Sequence, residues 1–192
     1  VIDPLDVALQ VAEALERCQL LYLVGGSLAS STAGEPRSTL DIDIVLSIAE
    51  SDLDCLLRAL GAEFYADADA FRRAVQHRSS VNIIHQPSAI KVDLFVAGGT
   101  PLDDEQLSRR RLLQVKSDPA RYLYFHTPED ILLQKLRWYR SGGEQSDRQW
   151  RDALGIIVVQ AGNLDVDYLR RQAAAIEVVD LLDRAFAAAG RT

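Results

Sequence analysis

Three short runs carry the residue types that do chemistry. The first is Leu40-Asp41-Ile42-Asp43-Ile44. In an extended chain, side chains alternate between faces. Leu40, Ile42, Ile44 and Leu46 therefore enter a core together, while Asp41 and Asp43 leave from the opposite face. Two carboxylates this close repel unless protons or a cation lie between them, and Asp is a poor strand former. Binding of a hard divalent ion such as Mg²⁺ through oxygen ligands accounts for that local cost. A solvated outer face of an edge strand accounts for it equally well. The second run is Ile90-Lys91-Val92-Asp93-Leu94-Phe95-Val96, where Asp93 opposes an apolar row. If the two strands are neighbours, Asp93 joins Asp41 and Asp43, and three carboxylates suffice for a pair of ions. The third run is Gly25-Gly26-Ser27, between an apolar strand and a helix. Its glycines allow close backbone approach, and the N–H groups of a helix start favour phosphate.

The elements that must position these runs are legible in the pattern. Asp3-Pro4 starts a helix whose Leu5, Ala8, Leu9, Ala12 and Leu15 share a face. Residues 20–24 form a short buried strand, 27–33 a short helix, and 40–48 a strand. Ser51 and Asp54 resemble a capping box for a helix over 52–60. A weak strand over 62–66 precedes a helix from Asp67 to about Arg78. Strands follow at 81–85 and 89–96, turning at Gln86-Pro87-Ser88. A helix over 102–111 leads to extended segments at 112–115 and 122–125. From Thr127-Pro128-Glu129-Asp130 onward the pattern is helical only, at about 127–140, 146–160, 166–175 and 177–189. The expected fold class is α/β (α+β): a small mixed sheet flanked by helices over residues 1–125, with a helical subdomain over 126–192 packed on it.

The order of the motifs resembles the nucleotidyltransferase superfamily of the DNA polymerase β type. The matching residues are Gly25-Gly26-Ser27, then Asp41-Ile42-Asp43, then Asp93. The run from Arg37 to Asp43 is similar to the Arg-x-Thr-x-Asp-x-Asp form of bacterial minimal members. Thr127-Pro128-Glu129-Asp130, Lys135 and Arg148-x-x-Arg151-Asp152 resemble the AbiEii/AbiGii-type toxins. The resemblance implies transfer of a nucleoside monophosphate from an NTP to an acceptor, which is tRNA, a protein or a small molecule. It implies two Mg²⁺ ions, with Mn²⁺ as a substitute, on Asp41, Asp43 and Asp93. Gly25, Gly26, Ser27, Arg37 and Thr39 would bind the nucleotide. Lys135 would neutralise phosphate, and Asp152, or else Asp147, would orient a basic group. A toxin of this type also implies an antitoxin partner. The alternatives are a module of the same fold that binds NTP or a partner without transfer, and a structural subunit of an oligomer.

Each tail residue has a plainer reading as well. Lys135 lies in an amphipathic helix, where an exposed lysine is the ordinary case, and Arg137 and Arg140 compete for its role. Asp147 suits a helix start after Ser146. Arg148 and Asp152 have the spacing of a helix ion pair worth about 0.3–0.5 kcal/mol. Trp138 and Trp150 suit a core between tail helices, and Tyr122 and Tyr124 suit sheet packing. His77, His85 and His126 lack metal-ligand spacing.

Composition sets the outer bounds. The 192 residues are 48% apolar and 26% charged, the balance of a globular chain. No apolar run reaches membrane-span length. Residues 1–24 lack the basic start of a signal peptide, and the initial Val in a chain without Met suits processing or trimming. Cys18 and Cys55 match no metal or redox spacing, so a reduced cytoplasm is the plain expectation. The net charge of −7 gives no support to strong non-specific nucleic-acid binding. Two basic stretches, Arg72/Arg73/Arg78 beside His77 and Arg109/Arg110/Arg111/Lys116/Arg121, suit either solvated faces or a polyanionic substrate.

Overall fold

The computed structural model describes residues 3–34 and 41–190. It divides into two compact units, residues 1–28 with 39–125, and residues 29–38 with 126–192. The first is an α/β unit. In chain order it holds α1 (Pro4–Arg17), β1 (Tyr22–Val24), the start of α2 (Gly26–Ala33), β2 (Ile42–Leu46), α3 (Leu53–Leu60), β3 (Phe64–Ala66), α4 (Ala68–His77), β4 (Ser80–His85), β5 (Ile90–Val96), α5 (Pro101–Arg109), β6 (Arg111–Ser117) and β7 (Ala120–Phe125). The strands form one mixed sheet in the order β3-β4-β5-β2-β1-β7-β6. β2 runs parallel to β5, and β1 parallel to β7; the other neighbours are antiparallel.

Alternation decides what each face of this sheet carries. Ile42, Ile44, Leu46, Val92, Leu94, Val81 and Ile83 are buried on one face. On the other face Leu23 packs with Ala97 and with Leu107 of α5, and Val45 and Tyr124 join them. Tyr124 also meets Tyr22 edge-on, with ring centres 5.6 Å apart, whereas Tyr122 is exposed. Caps fix the helix starts: the Asp3 carboxylate accepts from the Leu5 N–H at 3.0 Å, and that of Asp67 from the Ala70 N–H at 2.8 Å.

Two expectations are corrected in this unit. The Ser51 capping box does not form. A 3-10 turn over Glu50–Asp52 precedes α3, and the Asp52 carboxylate reaches back to the Ala49 N–H at 3.0 Å. The cysteines are not independent either. α1 packs against α3, and Cys18 and Cys55 form a disulfide with Cα atoms 6.0 Å apart. The bridge spans 37 residues of sequence, so spacing alone did not reveal it. The cysteines therefore no longer argue for a reducing compartment.

The second unit is helical: residues of α2 from Ala29, then α6 (Pro128–Ser141), α7 (Asp147–Gln160), α8 (Val166–Ala175) and α9 (Val179–Ala188). α6 packs against α7 and α8, and α9 against α7 and α8. The Thr127 hydroxyl accepts from the Asp130 N–H and donates to the Asp130 carboxylate at 2.9 Å. Asp130 is fully buried and also accepts from the Tyr168 hydroxyl at 2.6 Å, which ties α6 to α8. Trp138, expected in the core, is 54% exposed; Trp150 stacks obliquely on Tyr139 at 5.1 Å under the Arg184 guanidinium. No helix among the described residues is long and apolar enough to cross a membrane.

Two stability predictions follow from these packings. A loop of this length makes the bridge worth about 3–4 kcal/mol. Urea unfolding of a Cys18→Ser/Cys55→Ser variant should show that loss, and dithiothreitol should then have no further effect. His126 is buried, and its Nδ1 has no hydrogen-bond partner. Burial pushes its pKa down to about 4. The folded state thus excludes a proton that the unfolded chain binds below pH ~6.5. Stability from this residue is complete above that pH and falls towards pH ~4, by about 3 kcal/mol. His126→Leu should flatten the difference between unfolding curves recorded at pH 7.5 and 4.5.

Candidate active site

The pairing of β2 with β5 brings Asp43 and Asp93 directly side by side, because the parallel register matches these two residues. Adjacent strands lie about 5 Å apart, and register partners point to the same face. Both side chains are half-buried on the face opposite Ile42 and Val92. The row continues into β4, where Asn82 is the register partner of Asp93. Asp41 stands one residue before β2 and is exposed. Among the described residues, no three Asp, Glu, His or Cys side chains converge as a preformed metal cage. The expected triad is thus a tight register pair, Asp43 with Asp93, and a neighbour at the strand entrance.

The glycine turn is fastened to the same place. The Gly25 N–H donates to the Asp43 carbonyl at 2.9 Å. Gly26 has φ +56°, and a Cβ there would fall 1.7 Å from Asp43 Oδ2. Only a glycine allows the Asp43 carboxylate to lie against this backbone. Ser27, the next residue, is buried at the start of α2. A turn expected to cradle phosphate is therefore built around one of the acids.

A cation already sits on this face. Lys91, two residues before Asp93 in the same strand, places its Nζ 2.7 Å from Asp93 Oδ2. That hydrogen bond raises the lysine pKa, desolvation opposes it, and the charges of Asp93, Asp41 and Asp43 each add a lesser upward effect. All three carboxylates therefore act on one position. A divalent ion suits this donor set, which offers hard carboxylate oxygens from adjacent strands. Lys91 was not singled out in the sequence; its same-face spacing to Asp93 was the available signal.

The two tail residues come together with each other in the second unit. Lys135 Nζ of α6 is 2.8 Å from Asp152 Oδ2 of α7, with side chains 6% and 13% exposed. The plainer reading of Lys135 as an exposed lysine is thus corrected, and Asp152, which has the i, i+4 spacing to Arg148, also pairs with a lysine of another helix. Arg140 instead grips Asp180 at 2.5 and 2.6 Å on the surface, and Arg137 is exposed. Ser146 caps α7 by accepting from the Gln149 N–H, which leaves Asp147 as its first residue. Arg37 and Thr39 lie outside the described residues. The basic stretches are largely engaged internally: Lys116 with Asp6, Arg121 with Glu13, Arg72 with Glu50 and Asp69, and Arg110 over the Tyr124 ring.

No protein-family model matches the chain, and no curated protein is similar to it in sequence. Several solved structures are similar to it in fold. The solution structure of the antibiotic-resistance factor ANT(2'')-Ia superposes with a TM-score of 0.56 at 15% identity, covering 92% of this chain and 97% of that one. An antigenic nucleotidyltransferase-like protein from Paracoccidioides brasiliensis gives 0.56 at 18% identity, over 92% and 93%. The crystal structure of ANT(2'')-Ia in complex with adenylyl-2''-tobramycin gives 0.54 at 12% identity, over 90% and 95%. These superpositions show that the chain has the nucleotidyltransferase fold.

Proposed function

We propose that this protein is a metal-dependent nucleotidyltransferase that moves a nucleoside monophosphate from an NTP to a hydroxyl of a small acceptor. The observation that carries the reading is the register pair Asp43–Asp93 under the Gly25-Gly26 turn. Asp43 and Asp93, with Asp41 beside them, would hold Mg²⁺ or Mn²⁺. When bound, such ions supply charge neutralisation to the phosphates and activate the acceptor oxygen. The chain's own groups do the rest. The Gly25 N–H stays on the Asp43 carbonyl and holds the turn so that the Gly26 and Ser27 amides and the Ser27 hydroxyl would meet triphosphate oxygens, with Arg37 and Thr39 as further nucleotide ligands. Asp93 accepts the proton of the attacking hydroxyl. Lys135 is desolvated, so its charge counts for more towards phosphate than an exposed lysine's would, and Asp152 orients it. Catalysis of this kind is mainly positioning and charge stabilisation.

Two findings favour a small acceptor over tRNA or a protein. ANT(2'')-Ia, a chain of similar extent, was solved with an adenylylated small molecule, adenylyl-2''-tobramycin. Arg72, Lys116 and Arg121 of the basic stretches, which a polyanionic acceptor would need, pair with the protein's own acids. A toxin role with an antitoxin partner rests on the Lys135 and Asp152 motifs alone. Toxicity on expression, relieved by an adjacent gene product, is its test.

Incubation with each labelled NTP, Mg²⁺ and panels of hydroxyl-bearing small molecules, RNA and protein should label a small-molecule product. Asp43→Asn and Asp93→Asn should each lower transfer about 100-fold or more. NTP binding without transfer to any acceptor would instead establish a binding module. Gly26→Ala should abolish transfer as well, because its Cβ displaces the Asp43 carboxylate. Gly143→Ala is the control: φ is +69° there too, but the space around it is open. It should cost about 1 kcal/mol in a melt and leave transfer unchanged.

A further inference from the structure

Lys91 and Asp93 leave the same face of β5, and that face also carries Asp43. The lysine is 51% exposed at its side chain, while its partner carboxylate is 20% exposed. One end of the pair is therefore fixed in the sheet, and the other is a long stem free to swing into solvent. Asp43 and Asp93 are register partners on adjacent strands, and the Lys91 ammonium brings a positive charge to that pair through Asp93. We propose that Lys91 is a built-in counter-cation of the carboxylate face, seated on Asp93 until a divalent ion displaces it, so that Lys91 sets the metal affinity of the site. The inference rests on the reading that Asp43 and Asp93 hold the metal.

The Lys91 ammonium occupies Asp93 Oδ2, so an ion that takes both carboxylate oxygens must break the Lys91–Asp93 pair, and an ion that enters on the other oxygen meets the positive charge of the ammonium. Because the lysine head is solvent-exposed, the pair is weak enough to be broken, and the penalty corresponds to about a two- to tenfold loss in metal affinity. Lys91 also opposes wrong occupancy in the other direction. In the ion-free protein it holds the Asp93 carboxylate in one orientation beside Asp43. It is thus a positioning residue for Asp93.

The test is Mn²⁺ titration of the whole chain at low ionic strength, reading free Mn²⁺ by electron paramagnetic resonance, with a metal-free thermal melt alongside. Lys91→Gln should bind Mn²⁺ about fivefold tighter than the parent, while its metal-free melting temperature falls. Lys91→Arg keeps the charge and should bind like the parent. Equal or weaker binding by Lys91→Gln, in a parent that binds Mn²⁺, overturns the proposal, as does tightening of the same size in Lys91→Arg. If neither parent nor Lys91→Gln binds Mn²⁺ at millimolar concentration, the metal reading itself fails and the proposal with it.

Discussion

The parallel pairing of β2 with β5 is the constraint on which the rest of the site depends. It sets Ile42 beside Val92, Asp43 beside Asp93 and Ile44 beside Leu94. A slip of one residue in either strand would send its acid into the core and its apolar row into solvent. Magnitudes decide which effect fixes the register. Ile42, Ile44, Leu46, Val92 and Leu94 are each fully buried, and each contributes about 1.5–3 kcal/mol. Two unit charges about 5 Å apart repel by about 1 kcal/mol in water and about 3 kcal/mol at an effective dielectric near 20. The apolar face therefore holds the carboxylates together against their own repulsion. The acids need no attraction to each other to be neighbours.

What that repulsion does require is local compensation, and the neighbours of the pair supply it. Lys91 brings a positive charge to Asp93 from within the same strand. Gly26 allows the Asp43 carboxylate to lie against backbone, in a space that any side chain would fill. The Gly25 N–H bonds the Asp43 carbonyl, so the turn and the acid move as one piece. The glycines have two functions. They hold Asp43 in place, and in the function proposed above they would bring the start of α2 to phosphate.

Features written in local pattern were legible in the sequence, and features written in tertiary contact were not. Alternation around Asp43 and Asp93 identified the polar face, and Asp3, Asp67, Thr127 and Ser146 each announced a helix start that the structure confirms. That the two acid-bearing strands are neighbours was a condition the sequence could state but not establish. The burial of Lys135 was not legible because the apolar arc of α6 is wide: Ile131, Leu132, Leu133 and Leu136 are all buried, and a lysine among them is enclosed as well. Its burial becomes intelligible only with Asp152, which comes from another helix. The disulfide between α1 and α3 has the same character, since 37 residues separate its ends. Trp138 shows the converse, a large apolar side chain left at the surface while its neighbours fill the core.

Charge distribution bears most directly on the acceptor. The stretch from Arg109 to Arg121 looks basic in one dimension, yet in three dimensions α1 lies against that part of the sheet and offers Asp6 and Glu13 to Lys116 and Arg121. Arg78 similarly donates to the Ala97 carbonyl at 2.9 Å. A polyanion gains affinity when fixed cations neutralise its phosphates and release their condensed counterions to solution, and cations already paired with carboxylates give less of that gain. With a net charge of −7 around them, these pairs leave little long-range attraction for RNA. In the function proposed above, the Asp41, Asp43 and Asp93 carboxylates would hold divalent ions and, through them, a nucleotide, and a small acceptor needs a positioned hydroxyl and no extended basic track.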